Sequence, residues 1–525
     1  MTWELRQGTR ALLEAERGTI RKEGRFRVAL CHAARYPVAM SSLGFQVIYR
    51  LINARPDFVC ERATYPDDPA AFRATRTPLY TLESERPVAE SDLIAFSIAF
   101  EPDLLHLVDM LDLSGLAPLR EDRGPSDPPV IAGGPITTSN ALPLGPFVDV
   151  VVNGDGEEAV EQLMDALPAG KEAFLRACAD LPGFWVPAVH GDRVPENLRV
   201  GATHLPAAGQ VVTPHAELSD MFLIEASRGC PRFCTFCVIR ATVQPMRESD
   251  PAALLDAVPD WAPRVGFVGA AVSDYAHIKE AIEEVIRRGK GVGVSSLRAD
   301  RLDTDFVDLL RRGGYRTLTV ASDAPSERMR AKLMKGIRDR HLVRAAELAR
   351  AAGLRTLKLY VIVGLPGETD EDLDELIAMG RHLAGIGPLA LTLSPFVPKL
   401  HTPLAHAPFA GLKAVDRALD RVRKGLRGVA DVRAASSRWA WIEYRLSQGG
   451  QDAGLAVHAA WRRGGGFAAW RAALDGCDER AGLRAAEGTG LWEPTGVVPG
   501  APRPPRPPRR LPREAFDTGL SGGGR

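Results

Sequence analysis

The sequence predicts an α/β protein with a parallel-sheet domain, a partial barrel of six β/α units and a small helical C-terminal region. The main observation is a repeated alternation of short apolar runs with helical stretches, the pattern of parallel sheets covered by helices. The 525 residues also exceed what one ordinary hydrophobic core holds, so several domains are expected. A third observation is local: three cysteines lie within eight positions directly after an apolar run.

The first alternating series predicts a parallel sheet with helices on both faces at residues 26–195, after a lead-in helix at 1–25. Its strand-like runs are RVALCH, DLIAFSI, PVIAGGP and FVDVVVNG. The turns AGGP (Ala132–Pro135) and NGDGEE (Asn153–Glu158) follow strands. Because open parallel sheets bind ligands at the carboxyl ends of their strands, both turns are candidate ligand contacts.

The second alternating series predicts a partial TIM-like barrel, (β/α)6, at residues 215–430, after a polar linker at 196–214. Its six strand-like runs begin with MFLIEAS and end with PLALTLSP. In such barrels the chemistry lies at the carboxyl ends of the strands. The sequence then becomes helical at 431–492 and rich in Pro, Arg and Gly at 493–525, where we expect a disordered tail.

The composition limits the expected cellular compartment and the expected binding partners of the protein. Lys plus Arg equal Asp plus Glu at 66 each, which gives no support for a general nucleic-acid surface but leaves a local basic patch open. No apolar run reaches transmembrane length, and the N-terminus does not have the pattern of a secretory signal. Seven cysteines are too few for a disulfide scaffold, so a reducing cytoplasm is the expected compartment.

The three clustered cysteines, Cys230, Cys234 and Cys237, follow the spacing C-x3-C-x2-C in a turn-rich segment. A structural zinc site needs four ligands, and no second cysteine pair lies nearby. A disulfide would use two thiols and leave the third. Three thiolates instead fit an iron–sulfur cluster with one iron open to a small molecule.

This spacing, with Phe236 before the last cysteine and a partial barrel following, resembles the radical S-adenosylmethionine (SAM) enzymes. The resemblance implies that the three cysteines hold a 4Fe-4S cluster and that SAM chelates the open iron. It also implies reductive cleavage of SAM to a 5'-deoxyadenosyl radical, a one-electron reductant of flavodoxin or ferredoxin type, and a substrate that the sequence does not identify. No residue can be assigned to the chemistry on that substrate.

The resemblance also implies contacts to SAM at the ends of later strands, with departures from the family pattern. GAA stands where the family has GGE, and Pro325 replaces a glycine. Lys399, after the sixth strand, is either a substrate-mouth residue or a surface lysine. The residues carried over as SAM contacts are Phe236, Gly269, Ala270, Ala271, Ser295, Ser296, Arg298, Asp323, Arg328, Gly364, Pro366 and Glu368.

The first domain resembles the Rossmann-like cobalamin-binding domains that precede some radical SAM barrels, and the whole chain resembles the cobalamin-binding-domain-containing radical SAM group. Cobalt-ligating members use a His in a D-x-H-x-x-G loop, which this sequence lacks. His32 has no such frame, and His106 lies in a helical stretch. Two interpretations stay open: cobalamin binds without a protein His, or the fold persists without the cofactor.

Two rival functions also stay open. Methylthiotransferases carry a second three-cysteine cluster in their N-terminal domain. In this sequence the thiols available for such a cluster are Cys31, Cys60 and Cys178, although Cys178 lies in a helical stretch and is predicted to be a core residue. The other rival is a non-catalytic iron–sulfur or SAM-binding protein, suggested by the altered GGE stretch. Cys477 is expected to be structural.

Overall fold

A six-stranded sheet forms the N-terminal part of the chain, in the order β2-β1-β3-β4-β5-β6. The computed structural model describes residues 2–243 and 245–488, so the predicted tail at 493–525 lies outside the described residues. Strands β1 to β5 pair in parallel and β6 pairs antiparallel with β5. The strands are β1 (Phe26–His32), β2 (Phe58–Thr64), β3 (Leu93–Ser97), β4 (Val130–Gly133), β5 (Val150–Val152) and β6 (Phe184–Trp185).

Helices cover both faces of this sheet and bury a separate apolar core on each. Where a lead-in helix is predicted at 1–25, the structure has a helix that ends at Glu14. The helices are α1 (Thr2–Glu14), α2 (Tyr36–Ala39), α3 (Leu43–Ala54), α4 (Pro69–Thr75), α5 (Leu104–Leu113), α6 (Glu157–Ala166), α7 (Lys171–Ala179) and α8 (Pro187–His190).

Strand β2 is not predicted from the sequence because charged residues interrupt its apolar pattern. The structure fully buries the Arg62 side chain in this strand, between Glu16 at 2.7 Å and Glu83 at 2.6 Å. A buried charge is tolerated when it is paired and hydrogen-bonded, and here two carboxylates meet one guanidinium. Pairing across 46 residues therefore turns a polar segment into a core strand.

The second part of the chain is an open arc of seven parallel strands, three in the order β11-β10-β7 and four in the order β12-β13-β14-β15. A parallel bridge between Leu297 and Val320 joins the two groups. A two-stranded ribbon, β8 with β9, follows the first strand. The strands are β7 (Met221–Glu225), β8 (Ser227–Arg228), β9 (Arg247–Glu248), β10 (Arg264–Val268), β11 (Gly291–Val294), β12 (Thr317–Ala321), β13 (Thr356–Val363), β14 (Leu389–Pro395) and β15 (Asp431–Ala434).

The first six strands of this arc are the six predicted ones, and β15 is an addition. Residues from 431 onward are predicted to be helical, because β15 is short, half exposed and without an apolar run that would indicate a strand. Helices between the strands cover the outside of the arc. They are α9 (Ile239–Thr242), α10 (Pro251–Asp256), α11 (Ile278–Arg287), α12 (Thr304–Arg312), α13 (Glu327–Lys332), α14 (Asp339–Ala351), α15 (Asp370–Ile386) and α16 (Leu412–Gly425).

The C-terminal helices return to the N-terminal sheet. Trp470 and Leu474 are fully buried in the core on one face of that sheet, together with residues of β3 and α5. The Asn140 amide Nδ2 donates to the carbonyls of Leu446 at 3.2 Å and Gly449 at 2.8 Å. These helices are α17 (Ser437–Gln448), α18 (Gln451–Arg462), α19 (Phe467–Leu474) and α20 (Ala481–Gly488).

Across the described ranges, 2–243 and 245–488, no helix combines the length and the apolar character needed to cross a membrane.

Candidate functional site

The cysteine loop begins directly after the β8 strand, at the carboxyl end of the arc. Gly229 adopts φ +88°, and a Cβ there would lie 2.3 Å from the Val243 carbonyl oxygen, so the turn requires glycine. Cys230 and Cys237 are half-buried and Cys234 is buried, and none of the three is in a disulfide. The backbone N–H of Cys237 donates to the Cys234 carbonyl at 3.3 Å.

The three thiols fit a cluster better than a single ion. Burial raises the pKa of each, that of Cys237 to about 11, and in Cys237 the nearby Cys234 and Cys230 act in the same direction. The three thiols therefore need a positively charged group nearby, such as a metal centre, to become thiolates. Within the part of the chain that the structure describes, no three His, Cys, Asp or Glu side chains converge tightly enough for one metal ion. In an iron–sulfur cluster each cysteine binds a different iron, so the cysteine sulfurs can lie farther apart than the ligands of a single metal ion.

Two cations and one carboxylate lie beside the cysteine loop. Burial raises the pKa of Cys234, while the charges of Lys335 and Arg298 act in the opposite direction. The Lys335 ammonium pairs with Asp323, and the Arg298 guanidinium donates to the Lys335 carbonyl at 2.9 Å. The structure thus brings the predicted Arg298 and Asp323 together through Lys335, which sequence reasoning missed.

Arg298 and Asp323 are held in defined positions. Arg298 is buried and forms a two-point pair with Asp300, at 3.0 and 3.1 Å. Asp323 has φ +60°, and its backbone N–H donates to the Tyr360 carbonyl at 3.0 Å. Asp and Asn adopt this left-handed conformation more readily than most residues. The two predicted polar contacts therefore lie on a rigid edge of the site.

Phe236 reaches from the cysteine loop into a small apolar cluster formed by helix α13 and the segments after β12, β13 and β14. This cluster is separate from the main core, and it joins three strand ends to the cysteine loop. Sequence reasoning singled out Phe236 but not its partners, which lie in four later segments. The buried members are Ala324, Met329, Leu333, Leu365 and Phe396.

The residues after β10 and β11 form the opposite edge. The Ser295 hydroxyl donates to the Gly269 carbonyl at 3.1 Å, so two predicted contacts touch each other. A Cβ on Gly269 would lie 2.7 Å from the Ser227 carbonyl oxygen, which places this turn against the start of the cysteine loop. Ser295, Ser296 and Ala270 are exposed, whereas Ala271 is buried.

The turn after β13 is closed by its own glutamate. The Glu368 carboxylate accepts from the backbone N–H of Gly364 at 2.9 Å and of Leu365 at 3.4 Å. Burial raises the pKa of Glu368 to about 7, although these two hydrogen bonds oppose the shift. The Pro366 carbonyl accepts from Lys332 at 2.6 Å. Glu368 therefore shapes the turn, with both oxygens engaged by its backbone.

Arg328 does not lie with the other predicted contacts. Its guanidinium is half exposed and pairs with Asp372 at the start of α15, and it donates to the Gly367 carbonyl at 3.0 Å. The Asp372 carboxylate also accepts from the Thr369 backbone N–H at 2.8 Å. Arg328 thus braces the Gly364 turn from outside.

Two ion networks that sequence reasoning missed hold the cysteine loop from both sides. On the barrel side, Arg232 pairs with the buried Asp274 at 2.5 Å. On the N-terminal side, Arg228 pairs with three carboxylates that line one cavity: Glu225 at 2.6 Å, Glu157 at 2.6 Å and Asp155 at 3.2 Å. Glu225 is only three residues from Arg228, but Asp155 and Glu157 lie about seventy residues before it, and Asp274 is 42 residues from Arg232, so no local pattern reveals these three partners.

A cavity of ≈ 410 Å³ lies at the carboxyl edge of the N-terminal sheet, directly below the cysteine loop. The two predicted ligand-binding turns line it, through Gly133–Pro135 and Gly154–Glu157. Arg228 and residues of the cysteine segment, Ile239 and Val243, form its roof. Its walls are mainly apolar and include Leu30, Phe45, Ala95, Ile131, Val152 and Leu163.

No histidine of the described chain lines this cavity. His32 is buried beside Phe45, and burial lowers its pKa to about 4. His106 stacks on Tyr65 at 4.0 Å, and its Nδ1 lies 2.8 Å from the Ala33 carbonyl. Both side chains are therefore accounted for by packing.

The three N-terminal thiols do not form a second cluster. Cys31 packs in the core on one face of the sheet, whereas Cys60 and Cys178 pack in the core on the other. All three are buried. Burial raises the pKa of each thiol, as expected for core residues.

Lys399 is neither a surface lysine nor free. Its ammonium lies 2.5 Å from Glu101, in the loop after β3, and 2.8 Å from Glu443 in α17. Burial disfavours the charged amine, yet the two carboxylates hold the pKa of Lys399 above its ordinary value. One lysine therefore links the barrel, the N-terminal domain and the C-terminal helices.

Family models match two segments: "Radical SAM proteins, N-terminal" at residues 44–187 and "Radical SAM superfamily" at residues 224–380. An uncharacterized protein of Methanocaldococcus jannaschii is 29% identical over 346 residues, 63% of this chain and 72% of that protein. An uncharacterized methyltransferase of Pyrococcus horikoshii is 24% identical over 311 residues, 56% of this chain and 67% of that protein.

Among solved structures, apo OxsB, a cobalamin-dependent S-adenosylmethionine radical enzyme, superposes with a TM-score of 0.50 at 13% identity. The superposition covers 77% of this chain and 57% of that larger one, so the likeness is one of fold.

Proposed function

This chain belongs to the radical SAM superfamily, and we propose that it cleaves SAM reductively to modify a substrate, with cobalamin as a second cofactor. The observation that carries the proposal is the cysteine loop, whose three thiols, none of them in a disulfide, lie between the apolar cluster around Phe236 and the cations Lys335 and Arg298. Three protein thiolates leave one iron of a 4Fe-4S cluster without a protein ligand.

We assign the cofactor contacts as follows. Cys230, Cys234 and Cys237 hold the cluster. When bound, the cluster and SAM supply one-electron cleavage of a C–S bond, which gives methionine and a 5'-deoxyadenosyl radical. The Ser295 and Arg298 edge orients the polar part of SAM, and the apolar cluster around Phe236 shields the reacting end from water.

The remaining predicted contacts act around this frame. Asp323 and Lys335 form a neutral ion pair at the opening of the barrel. The Gly364 turn closes the side of the site where the adenine of SAM would lie. Arg328 keeps that turn in place rather than touching SAM. A flavodoxin- or ferredoxin-type protein in a reducing cytoplasm supplies the electron. We also propose 26–195 as the cobalamin-binding unit and 215–430 as the radical unit.

The cavity at the N-terminal sheet edge supports cobalamin as the second cofactor. Its apolar walls, its glycine-containing turns and its place below the cysteine loop suit an extended, mostly apolar arm of a large ligand. Because cobalamin is much larger than ≈ 410 Å³, this cavity would hold only a part of it. The described lining contains no histidine, so the glycine-containing turns and the apolar walls are the residues that would hold cobalamin here.

The test is anaerobic reconstitution with iron and sulfide, followed by SAM and dithionite. We expect 5'-deoxyadenosine from the wild type, none from Cys234→Ala, and unchanged yield from Cys477→Ala, the matched thiol control. Bound SAM without turnover in the wild type would support the non-catalytic alternative instead.

Cobalamin is tested separately by dialysis with hydroxocobalamin and by its absorbance bands. We expect one equivalent bound to the wild type and much less to Ala132→Trp, which fills the cavity wall. Radical cleavage without any retained cobalamin would leave the radical SAM proposal standing and remove the second cofactor.

A further inference from the structure

An open groove beside the last barrel loops combines aromatic rings with cations. It encloses ≈ 700 Å³ between the segment after β14, the start of α16, and helices α17 and α19. This volume is in the range of ligand-sized clefts. Its aromatic lining residues are Phe409, Trp441, Tyr444 and Phe467.

The four rings are held in fixed pairs. Phe409 and Tyr444 stack with centroids 5.5 Å apart, and Trp441 meets Phe467 edge-on at 5.7 Å. Trp441 and Phe467 also pack against the N-terminal core. Tyr444 is buried, whereas Phe409, Trp441 and Phe467 are half-buried, with Arg438 over the Phe467 ring and Arg445 over the Trp441 ring. A ligand that enters the groove therefore meets the exposed parts of three fixed rings.

Three exposed cations border these rings: Lys413, Arg417 and Arg471. None of the three has an ion pair with a described carboxylate, whereas Arg421 on the same helix pairs with Asp374 at 2.7 Å. Glu479 is the one carboxylate in the lining. The chain as a whole is neutral, so this excess of positive charge is a local property.

We propose that this groove binds single-stranded nucleic acid. Aromatic platforms accept any base by stacking, and lysine and arginine beside them neutralise the backbone phosphates. The other segment that could fill an aromatic groove is the chain's own Pro-rich C-terminal tail. That tail is rich in arginine and so carries the same charge as the groove, which disfavours it.

The groove lies next to the candidate site. A Cβ built on Gly364 would be 3.5 Å from the Ala410 side chain in the groove wall, and equally far from Val415 of α16. A strand lying in the groove would therefore run beside the turn that closes the adenine side. This placement suits a polymer whose reacting part enters the barrel mouth.

The test uses the full chain and a fluorescein-labelled oligouridylate, with fluorescence anisotropy at several salt concentrations. In the triple variant Lys413→Gln/Arg417→Gln/Arg471→Gln we expect at least ten-fold weaker binding and a salt slope reduced by about 2, since each lost phosphate contact on a single strand removes about 0.7. The control Arg312→Gln/Arg344→Gln/Arg355→Gln removes the same charge from exposed positions of two outer barrel helices and the segment before β13, and should bind within about two-fold of the wild type.

Stacking is tested by Phe467→Leu, which keeps an apolar contact to Trp441 but removes a ring. We expect several-fold weaker binding with the salt slope unchanged, and weaker binding of a duplex than of the single strand. The proposal fails if the triple variant binds like its control. It also fails if substituting the tail arginines Arg503, Arg506, Arg509, Arg510 and Arg513 by Gln abolishes binding while the groove is intact.

Discussion

Asp274 connects the cysteine loop to the barrel through one buried carboxylate. Its side chain is 2% exposed and meets Arg232 of the loop at 2.5 Å and Arg301 at 2.8 Å. Burial alone would raise the pKa of this carboxyl, but the two guanidinium groups outweigh it and lower the pKa. The loop is therefore held by a charged, two-sided contact with fixed geometry.

We expect Asp274→Asn to loosen the cluster without unfolding the chain. The amide keeps the size of the side chain but loses the charge that binds Arg232. The reconstituted variant should release iron to a chelator several-fold faster than the wild type. Asp308→Asn, which removes an exposed pair with Arg311, is the matched control. Equal release rates in all three proteins would contradict the anchoring role.

The sequence reveals residues of the site when chemistry demands them in a short stretch. Three cysteines within eight positions predict a cluster site, because few other functions need that spacing. Asp274 is 42 residues from Arg232, and Lys335 is about a hundred from the thiol it influences. The fold brings these partners together. The sequence does not reveal them, because Asp and Lys are also common in solvent-exposed loops.

The turn after β13 makes one element sensitive to pH. The folded-state pKa of Glu368, about 7, lies above its ordinary value of 4.5 because the carboxyl is buried. A protonated Glu368 therefore stabilises the fold. This contribution is complete below about pH 4.5 and is lost as the pH rises through about 7.

We expect Glu368→Gln to remove that dependence, since an amide stays neutral throughout. The thermal midpoint of the wild type relative to the variant should fall by several degrees between pH 5 and pH 8. Differential scanning calorimetry at matched ionic strength measures this. Glu371→Gln, one turn away and exposed, controls for general charge loss. A constant difference across this pH range would show that Glu368 is not protonated in the folded chain.

Elements differ in how well their own residues predict them. Strands β13 and β14 are predicted from their sequences because fully buried residues, nearly all of them apolar, alternate with partly buried ones along each strand, which is a clear local signal. Strand β2 depends on distant carboxylates, and β15 depends on pairing with β14. Neither contact is visible in a local window of sequence.

The three parts of the molecule meet at Lys399. The sequence allowed a mouth residue or a surface lysine, and the structure instead places it between Glu101 and Glu443. A lysine that satisfies two largely buried carboxylates at once fixes the relative placement of the elements that carry them. This contact belongs to the whole molecule, because each partner comes from a different part.

We expect Lys399→Met to cost about 3 kcal/mol of stability at pH 8, because two carboxylates lose their counter-charge. Burial already raises the pKa of Glu443, so lowering the pH to 5 should restore much of the loss by protonation. Chemical unfolding at both pH values measures the change, with the exposed Lys424→Met as control. A loss that is equal at pH 5 and pH 8 would contradict the electrostatic account.

The return of the C-terminal helices to the N-terminal sheet bears on how the chain folds during synthesis. The Asn140 side chain has a backbone hydrogen-bond partner 306 residues later in the chain. Trp470 and Leu474 complete the core on the same side of the N-terminal sheet. Until α17–α19 emerge from the ribosome, the part of this face that α5 does not cover stays exposed, and such contacts of high sequence separation form slowly. Expression pieces that end after the barrel would therefore expose this apolar face and aggregate.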